Sequence, residues 1–463
     1  MNKQKEDETC NDVVKSYFEN KNNNNEIETQ LDKCIEEKAS KISSFVIETR
    51  RELHKNPELM YNESKTSQII QNILKSLNIS FKTGYAKNIH TSTIPGEGGY
   101  GIIADIGTGE PPCVLLRTDM DALPLTEETP IIDFKSKNTG RMHACGHDGH
   151  MSMLLGAARV LKSMESQLNG TVRLMFQPAE EGGAGAKRMR EEGILTLHPP
   201  VEMAFGMHVW PTLPSGVIGG KEGAQLASSC LFEINIVGVG GHAAMPHLTV
   251  DPIVAGSALI TQLQTLVSRV LNPLDTGVLS ITYFQAGDGA YNVIPKRATL
   301  RGTIRALSTQ TMDHLKVKME HMVHAVVIKA YGCSEAKVSY PMKDDYPPTI
   351  NDSNVWKFAK DIASRISVEG CVRDVEATMG AEDFAFVAEA VPSAFLFLGS
   401  GGTFSKEEEK KQDCDGGKER LKTDYGLHHP KFALDEDVLS LGVRLHTNFA
   451  IKGLKKLSRE MLS

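Results

Sequence analysis

Between Cys230 and Tyr340 the hydrophobic rhythm of the chain changes, and this change constrains the fold more than any other feature. Cys230–Val237 alternates apolar and polar residues as a strand does. Asp251–Val270 reads as a helix, with Asp251 at the N-cap and Pro252 in the first turn. Val278–Phe284 and Ala298–Ala306 read as strands, Thr309–Tyr331 as a long helix and Glu335–Tyr340 as a last strand. The order is β-α-β-β-α-β, the split pattern of a ferredoxin-like layer.

On either side, strands alternate with helices. Helical faces are expected from Ile42 to before Pro57, over Ser64–Leu77 and over Met151–Lys162. A short helix is expected near Ala184–Glu191. Strands are expected at Ser80–Gly84, Ile89–Ile94, Tyr100–Ile106, Val114–Leu116, Thr171–Phe176 and Glu202–Val209. After Pro341 the rhythm resumes, with helices near Ser353–Ser364 and Asp437–Leu457 and an apolar run Ala394–Gly399. The expectation is an α/β fold: a split domain over 39–226 and 342–463, with a mixed sheet and helices on both faces, interrupted by an inserted domain over 227–341. Residues 1–38 contain the polar run ENKNNNNE and are expected to be a disordered tail. The charged stretch 405–424 is expected to be a solvated loop.

Composition narrows the function. The 463 residues carry a formal net charge of -7 and are 40% hydrophobic, which disfavours a nucleic-acid partner and general disorder. No run of about 18 uninterrupted apolar residues marks a membrane span. The first residues are acidic and polar, unlike a secretory or transit peptide. The eight cysteines form no CxxC pair, so a reduced, cytoplasmic setting is the expectation.

Chemistry concentrates in a few loops. MHACGHDGH, Met142–His150, holds three histidines, a cysteine and an aspartate in nine residues at a helix start. A lone cysteine or histidine is usually structural. Here Cys145 and His147, one residue apart in a glycine-bearing loop, can face one ion such as Zn²⁺ or Mn²⁺. QPAEEGG puts Glu180 and Glu181 at the C-terminal end of a strand, where ligands of open α/β sheets collect. Adjacent carboxylates can divide metal binding from proton transfer. Asp119 in RTDMDALP, His208 in FGMHV and His428–His429 in LHHP also stand at ends of elements. GVGGHAA matches a dinucleotide fingerprint only loosely, and Pro246 breaks the helix that such a site requires.

RTDMDALP, MHACGHDGHMSMLLGAA, FQPAEEGGAGAKRM, GHAAMPH, NVIP, TMGAEDFA and LHHP occur in this order. Together they resemble the M20 metallopeptidase family, in its aminoacylase-like branch of hippurate hydrolases, N-acyl-amino-acid amidohydrolases and hydrolases of indole-acetic acid conjugates. The resemblance runs from about Ile42 to Leu457. It implies two divalent metal ions (Mn²⁺ or Zn²⁺), with Cys145 bridging them, His147 and His208 on one, and Glu181 and His428 on the other. It implies Glu180 as general base and Asp119 as a carboxylate orienting a ligand. In the insert, a lid in this family, it implies His242 and Asn292 at the scissile carbonyl and Arg305 at the substrate carboxylate. Glu382 lines the family's site without an assigned role.

The implied activity is hydrolysis of the amide bond of N-acyl or aryl (auxin-type) amino acid conjugates by a metal-activated water. The implied partner is that small molecule, with no nucleic acid and no membrane, and a homodimer through the lid is possible. An exopeptidase or dipeptidase on the same site is the first alternative. A non-catalytic binding protein on the same fold is the second, but it predicts a missing ligand or base, and none is missing.

Overall fold

The computed structural model describes residues 2–20, 25–130, 133–341, 344–402 and 423–461. Of the charged stretch 405–424, all but the last two residues lie outside this set.

Eight strands form the larger sheet. Its first six strands in chain order are β1 (Phe81–Lys87), β2 (Gly98–Gly107), β3 (Cys113–Asp119), β4 (Thr171–Gln177), β5 (Met203–Pro214) and β6 (Ile218–Gly220). Their spatial order is β1-β2-β4-β3-β5, then Ser393–Gly401, β6 and Val372–Asp374. β4, β3, β5 and Ser393–Gly401 run parallel, while β1–β2, β2–β4 and the contact of Ser393–Gly401 with β6 are antiparallel. Every residue of β3, β4 and Ser393–Gly401 is buried. Strands that read as continuous apolar runs are covered on both faces, so the sheet is mixed with helices on each side.

The helices of this unit are α1 (Asn2–Glu19), α2 (Asn25–Lys41), α3 (Ser43–His54), α4 (Ser64–Ser76), α5 (His147–Lys162) and α6 (Gly185–Glu191), with Ser353–Ile366 and Val438–Glu460 later in the chain. Asp352 caps Ser353–Ile366 by accepting from the N–H groups of Asn354 and Val355, a contribution of about 1 kcal/mol. One core runs through these elements, including Leu116, Leu154, Phe205, Leu396 and Phe449.

The expectation of a disordered tail is corrected. α1 and α2 form a hairpin whose Val14, Leu31, Ile35 and Ala39 are fully buried. Of the polar run, residues 21–24 lie outside the described residues. On either side, apolar residues at helical spacing are covered by the rest of the core. Lys452 pairs with Asp32, Arg365 bonds Asp32 at 3.2 Å and Arg444 bonds Glu36 at 3.2 Å. Cys10 and Cys34 form a disulfide, a pairing that the expectation of a reduced setting did not include. Ile89–Ile94 is a loop, not a strand. The Asn88 amide donates to the carbonyls of Ile94 and Gly96, folding the segment on itself and leaving Ile89 exposed.

The second unit comprises Ala224–Thr349 and Glu376–Ala385. Its antiparallel four-stranded sheet has the order Gly277–Ala286, Arg297–Ala306, Ser228–Val237, Glu335–Ser339. Two helices, Pro252–Thr265 and Thr309–Val323, each end in a wider π-helical turn. This is the ferredoxin-like order. Asp251 caps the first helix through the Ile253 N–H. Residues 376–385, which the sequence reading assigned to the other domain, pack here. The Ala227 N–H bonds to the carbonyls of Thr378 and Gly380, a pairing that hydrophobic rhythm cannot show.

Candidate metal centre

β3, β4 and β5 run parallel and place their C-terminal ends along one edge of the sheet. Asp119 closes β3 opposite Gln177, which closes β4. Glu180 and Glu181 follow directly. His208 lies within β5, opposite Phe397. Cys145 precedes α5 and His147 opens it. Between them Gly146 has a φ of +89°, and a Cβ there would lie 2.3 Å from Val209. Only glycine permits this approach.

The ligand atoms of Cys145, His147 and His208 lie within 4.8 Å of one another, and so do those of Cys145, Glu181 and His428. The Cys145 sulfur is therefore common to two ligand sets. It stands 3.3 Å from His208 Nε2, and His428 Nε2 stands 3.3 Å from Glu181 Oε1.

The histidine tautomers follow from their other contacts. His147 Nδ1 bonds to the Asp121 carbonyl at 2.9 Å, and His208 Nδ1 to the Val209 carbonyl at 2.6 Å. A carbonyl only accepts, so each Nδ1 carries the proton and each Nε2 offers a lone pair. His147 Nε2 is buried and has no hydrogen-bond partner among the described residues, which suits a metal ligand.

Charge points the same way. Burial, and then the carboxylates of Glu181, Glu180 and Asp119, push the Cys145 thiol well above its usual range. Burial disfavours a charged His147, yet Asp119 and Asp121 outweigh it and raise its pKa to about 10. A site this rich in carboxylates favours added positive charge, and divalent cations with Cys, His and Glu ligands supply it.

Asp119 itself is held. Burial would raise its pKa, but His147, His150 and Arg117 keep it well below the carboxylate range. It accepts from His150 Nδ1 at 2.7 Å and Arg117 Nη1 at 2.9 Å. His150 also accepts the Val209 N–H on Nε2. Both its nitrogens are occupied, so it braces Asp119 and β5 and is not available as a ligand. His143 is buried with neither nitrogen bonded among the described residues. Of the two adjacent histidines, His429 stacks on Tyr425 and accepts the Lys431 N–H, leaving His428 beside Glu181. Sequence reasoning passed over Asp121, whose carboxylate accepts the Glu181 N–H at 2.9 Å. The signal was its place two residues after Asp119 at the same strand exit.

In the second unit, His242 pairs with Val293 across a short antiparallel ribbon, and the Ala243 N–H donates to the Asn292 carbonyl. His242 Nδ1 accepts the Ala244 N–H, freeing Nε2 as the donor. Arg305 is not near them. It lies at the far end of strand Arg297–Ala306, opposite Ser229, whereas Arg297 faces Val237 at the His242 end. Eight residues of strand separate the two ends by about 27 Å. Glu382 belongs to this unit, its carbonyl accepting from Thr349 Oγ1.

Residues 115–415 match the model of peptidase family M20/M25/M40. IAA-amino acid hydrolase ILR1-like 2 of Arabidopsis thaliana is 38% identical over 420 residues, 90% of this chain and 87% of that protein. N-acetylcysteine deacetylase of Bacillus subtilis is 36% identical, covering 88% and 96%. The crystal structure of Bacillus subtilis YXEP, described as a dinuclear metal binding peptidase of the M20 family, superposes with a TM-score of 0.72 at 32% identity, covering 90% and 99%.

Proposed function

The chain belongs to the M20/M25/M40 peptidase family, and on that premise we propose that it hydrolyses N-acyl amino acids or their aryl, auxin-type conjugates. It is a metal-dependent amidohydrolase that acts on linear amide bonds with two divalent ions. The observation that carries the reading is the Cys145 sulfur shared by two ligand sets.

Cys145, His147 and His208 would hold one ion, and Cys145, Glu181 and His428 the other. When bound, the ions lower the pKa of a water molecule and polarise an amide carbonyl. The remaining work falls to the chain. Glu180, buried and within 4.8 Å of the ligand atoms of His147 and Glu181, takes the proton of the attacking water and passes it to the leaving nitrogen. Asp119 holds His150 and, through it, the strand that carries His208. His242 and Asn292 bind the carbonyl oxygen as it gains charge. Arg305, half-buried and without a carboxylate partner among the described residues, binds the substrate carboxylate.

Arg305 stands at one end of strand Arg297–Ala306 and the ribbon of His242 follows the other end, so a single lid does not present both to one small substrate. We infer a homodimer through the lid. The helix Pro252–Val270 is apolar but only 28% buried, and Ile253 and Val254 are exposed. Such a surface fits a second copy of the chain. Light scattering should give a dimer, and Val254→Asp a monomer with little activity. A wild-type monomer would remove this reading.

Glu180→Gln should keep two bound metals and lose most turnover. Hippurate, N-acetyl amino acids, indole-acetyl amino acids and dipeptides separate the substrate classes. Hydrolysis of dipeptides alone would favour the exopeptidase reading, and a chain that binds no metal would favour a non-catalytic role. A cytoplasmic site of action suits the Cys145 thiolate, while the Cys10–Cys34 disulfide forms more readily in an oxidising compartment. Fractionation of the source cells decides between them.

A further inference from the structure

The loop that carries Glu180 is held by residues far away in sequence. The Glu63 carboxylate oxygen Oε1 accepts the Ala179 N–H at 2.8 Å. Asp121 accepts the Glu181 N–H at 2.9 Å. The Tyr61 hydroxyl donates to the Gly183 carbonyl at 2.5 Å. Glu180 lies between the first two of these attachments.

The loop needs them. Ala179 has a φ of +56°, in the left-handed region that alanine rarely adopts. Its N–H bond to Glu63 fixes the Pro178–Ala179 peptide, the one that leads into the residue before Glu180. Gly183 comes so close that a Cβ would lie 2.6 Å from the Ala179 Cβ and 2.8 Å from the Tyr61 ring. Tyr61 is itself left-handed, with a φ of +58°. Its own N–H donates to the same Glu63 oxygen at 3.0 Å. Tyr61 and Glu63 thus form one brace between α3 and α4. Tyr61 is 1% exposed and Glu63 fully buried. Neither is among the potential metal-ligand groups.

A buried carboxylate is an expensive acceptor for two backbone N–H groups, and an apolar pocket could be packed without one. Its second oxygen has no hydrogen-bond partner among the described residues. The geometry uses Glu63 as a fixed acceptor, aimed at the peptide that sets the direction of the base.

We propose that Tyr61 and Glu63 are positioning residues for proton transfer, which hold the Ala179–Gly183 loop so that Glu180 faces the attacking water. The proposal rests on the reading of Glu180 as the base. A displacement of about 1 Å in a reacting group can cost about 100-fold in rate, so the effect should fall on kcat more than on KM.

The test compares Tyr61→Phe, Glu63→Leu, Glu63→Gln and Glu180→Gln in the full-length, metal-loaded enzyme. The substrate is whichever member of the N-acyl amino acid panel is hydrolysed fastest. Bound metal is counted by elemental analysis and folding is followed by thermal unfolding. Tyr61→Phe and Glu63→Leu should lower kcat by about tenfold or more, with KM within about threefold and two metals still bound. Glu63→Gln keeps an acceptor at Oε1 and should restore kcat to within about threefold of wild type.

Wild-type kcat in folded Tyr61→Phe and Glu63→Leu would overturn the proposal. So would a loss of kcat that merely tracks a loss of metal, or a Gln variant as impaired as Leu. Should Glu63→Leu fail to fold, Tyr61→Phe, which removes one hydroxyl, decides alone. Wild-type turnover in Glu180→Gln would instead refute the base assignment.

Discussion

Arg50 Nε donates to Asp148 Oδ2 at 2.7 Å, and both side chains are closed to solvent. Asp148 follows His147 in the first turn of α5, so this pair ties α3 to the helix on which the metal ligands begin. His54 Nδ1 bonds to the same oxygen at 2.8 Å. Asp148→Ala would leave the buried guanidinium with only its longer pair to Glu436, at 3.2 Å from Nη1, and His54 Nδ1 without its partner. The variant should lose about 3–5 kcal/mol of unfolding free energy. Urea unfolding measures this, and a loss below about 1 kcal/mol would show that the pair is not the clamp described.

The shared sulfur makes the two metals unequal under mutation. Cys145→Ser should lower the affinity for both ions, and His428→Ala for one only. Elemental analysis after dialysis should find fewer than one ion per chain in the first variant and about one in the second, with turnover of both reduced by roughly 100-fold. Equal metal loss in both variants would contradict a bridging role.

Burial, and then His150, hold His446 in the C-terminal helix down at about 3. An unfolded chain's histidine titrates near 6.5. Between these values the unfolded state binds a proton that the folded state does not, so stability falls as pH drops through the window. The slope is about 1.4 kcal/mol per pH unit for this residue. His446→Leu should flatten the stability–pH curve between pH 5 and pH 6.5 by about that amount. An unchanged slope in urea unfolding would mean that His446 is already protonated in the native protein.

The Cys10–Cys34 disulfide closes a loop with a sequence separation of 24. A loop of this size restricts the unfolded chain by about 3 kcal/mol. Reduction, or Cys10→Ser, should lower the unfolding free energy by that amount and leave kcat unchanged, because the hairpin contributes no residue to the metal centre. A loss of turnover without unfolding would show that the hairpin acts on the site.

The two rhythms were legible because strand and helix periods differ, so both the α/β sheet and the split β-α-β-β-α-β layer could be read from spacing alone. The loop motifs were legible because Cys145, His147, Glu180 and Glu181 stand beside clear strand or helix boundaries. Contacts between distant segments were not legible. The helices Asn2–Glu19 and Asn25–Lys41 are ordered by apolar residues buried in the main core and by pairs such as Lys452–Asp32, made to a C-terminal helix some 400 residues away. Tyr61 and Glu63 were hidden for the same reason: nothing near them in sequence indicates that their partners are Ala179 and Gly183. His150 was visible, but its use as a brace depends on a β5 N–H that pattern alone cannot locate.

Strand Ser393–Gly401 sits between β5 and β6 in the middle of the larger sheet, although it is made after the whole inserted unit. Synthesis at about 5–20 residues per second leaves β5 without this neighbour for roughly 10–40 s. During that interval the nascent chain displays a long apolar strand edge, while the insert, continuous from Ala224 to Thr349 but for a short later segment, can already begin to fold. The vulnerable stage in the life of this enzyme is therefore its translation. Chains that stop short of residue 393 should depend on chaperones and aggregate, and their lids should be the most native part of them.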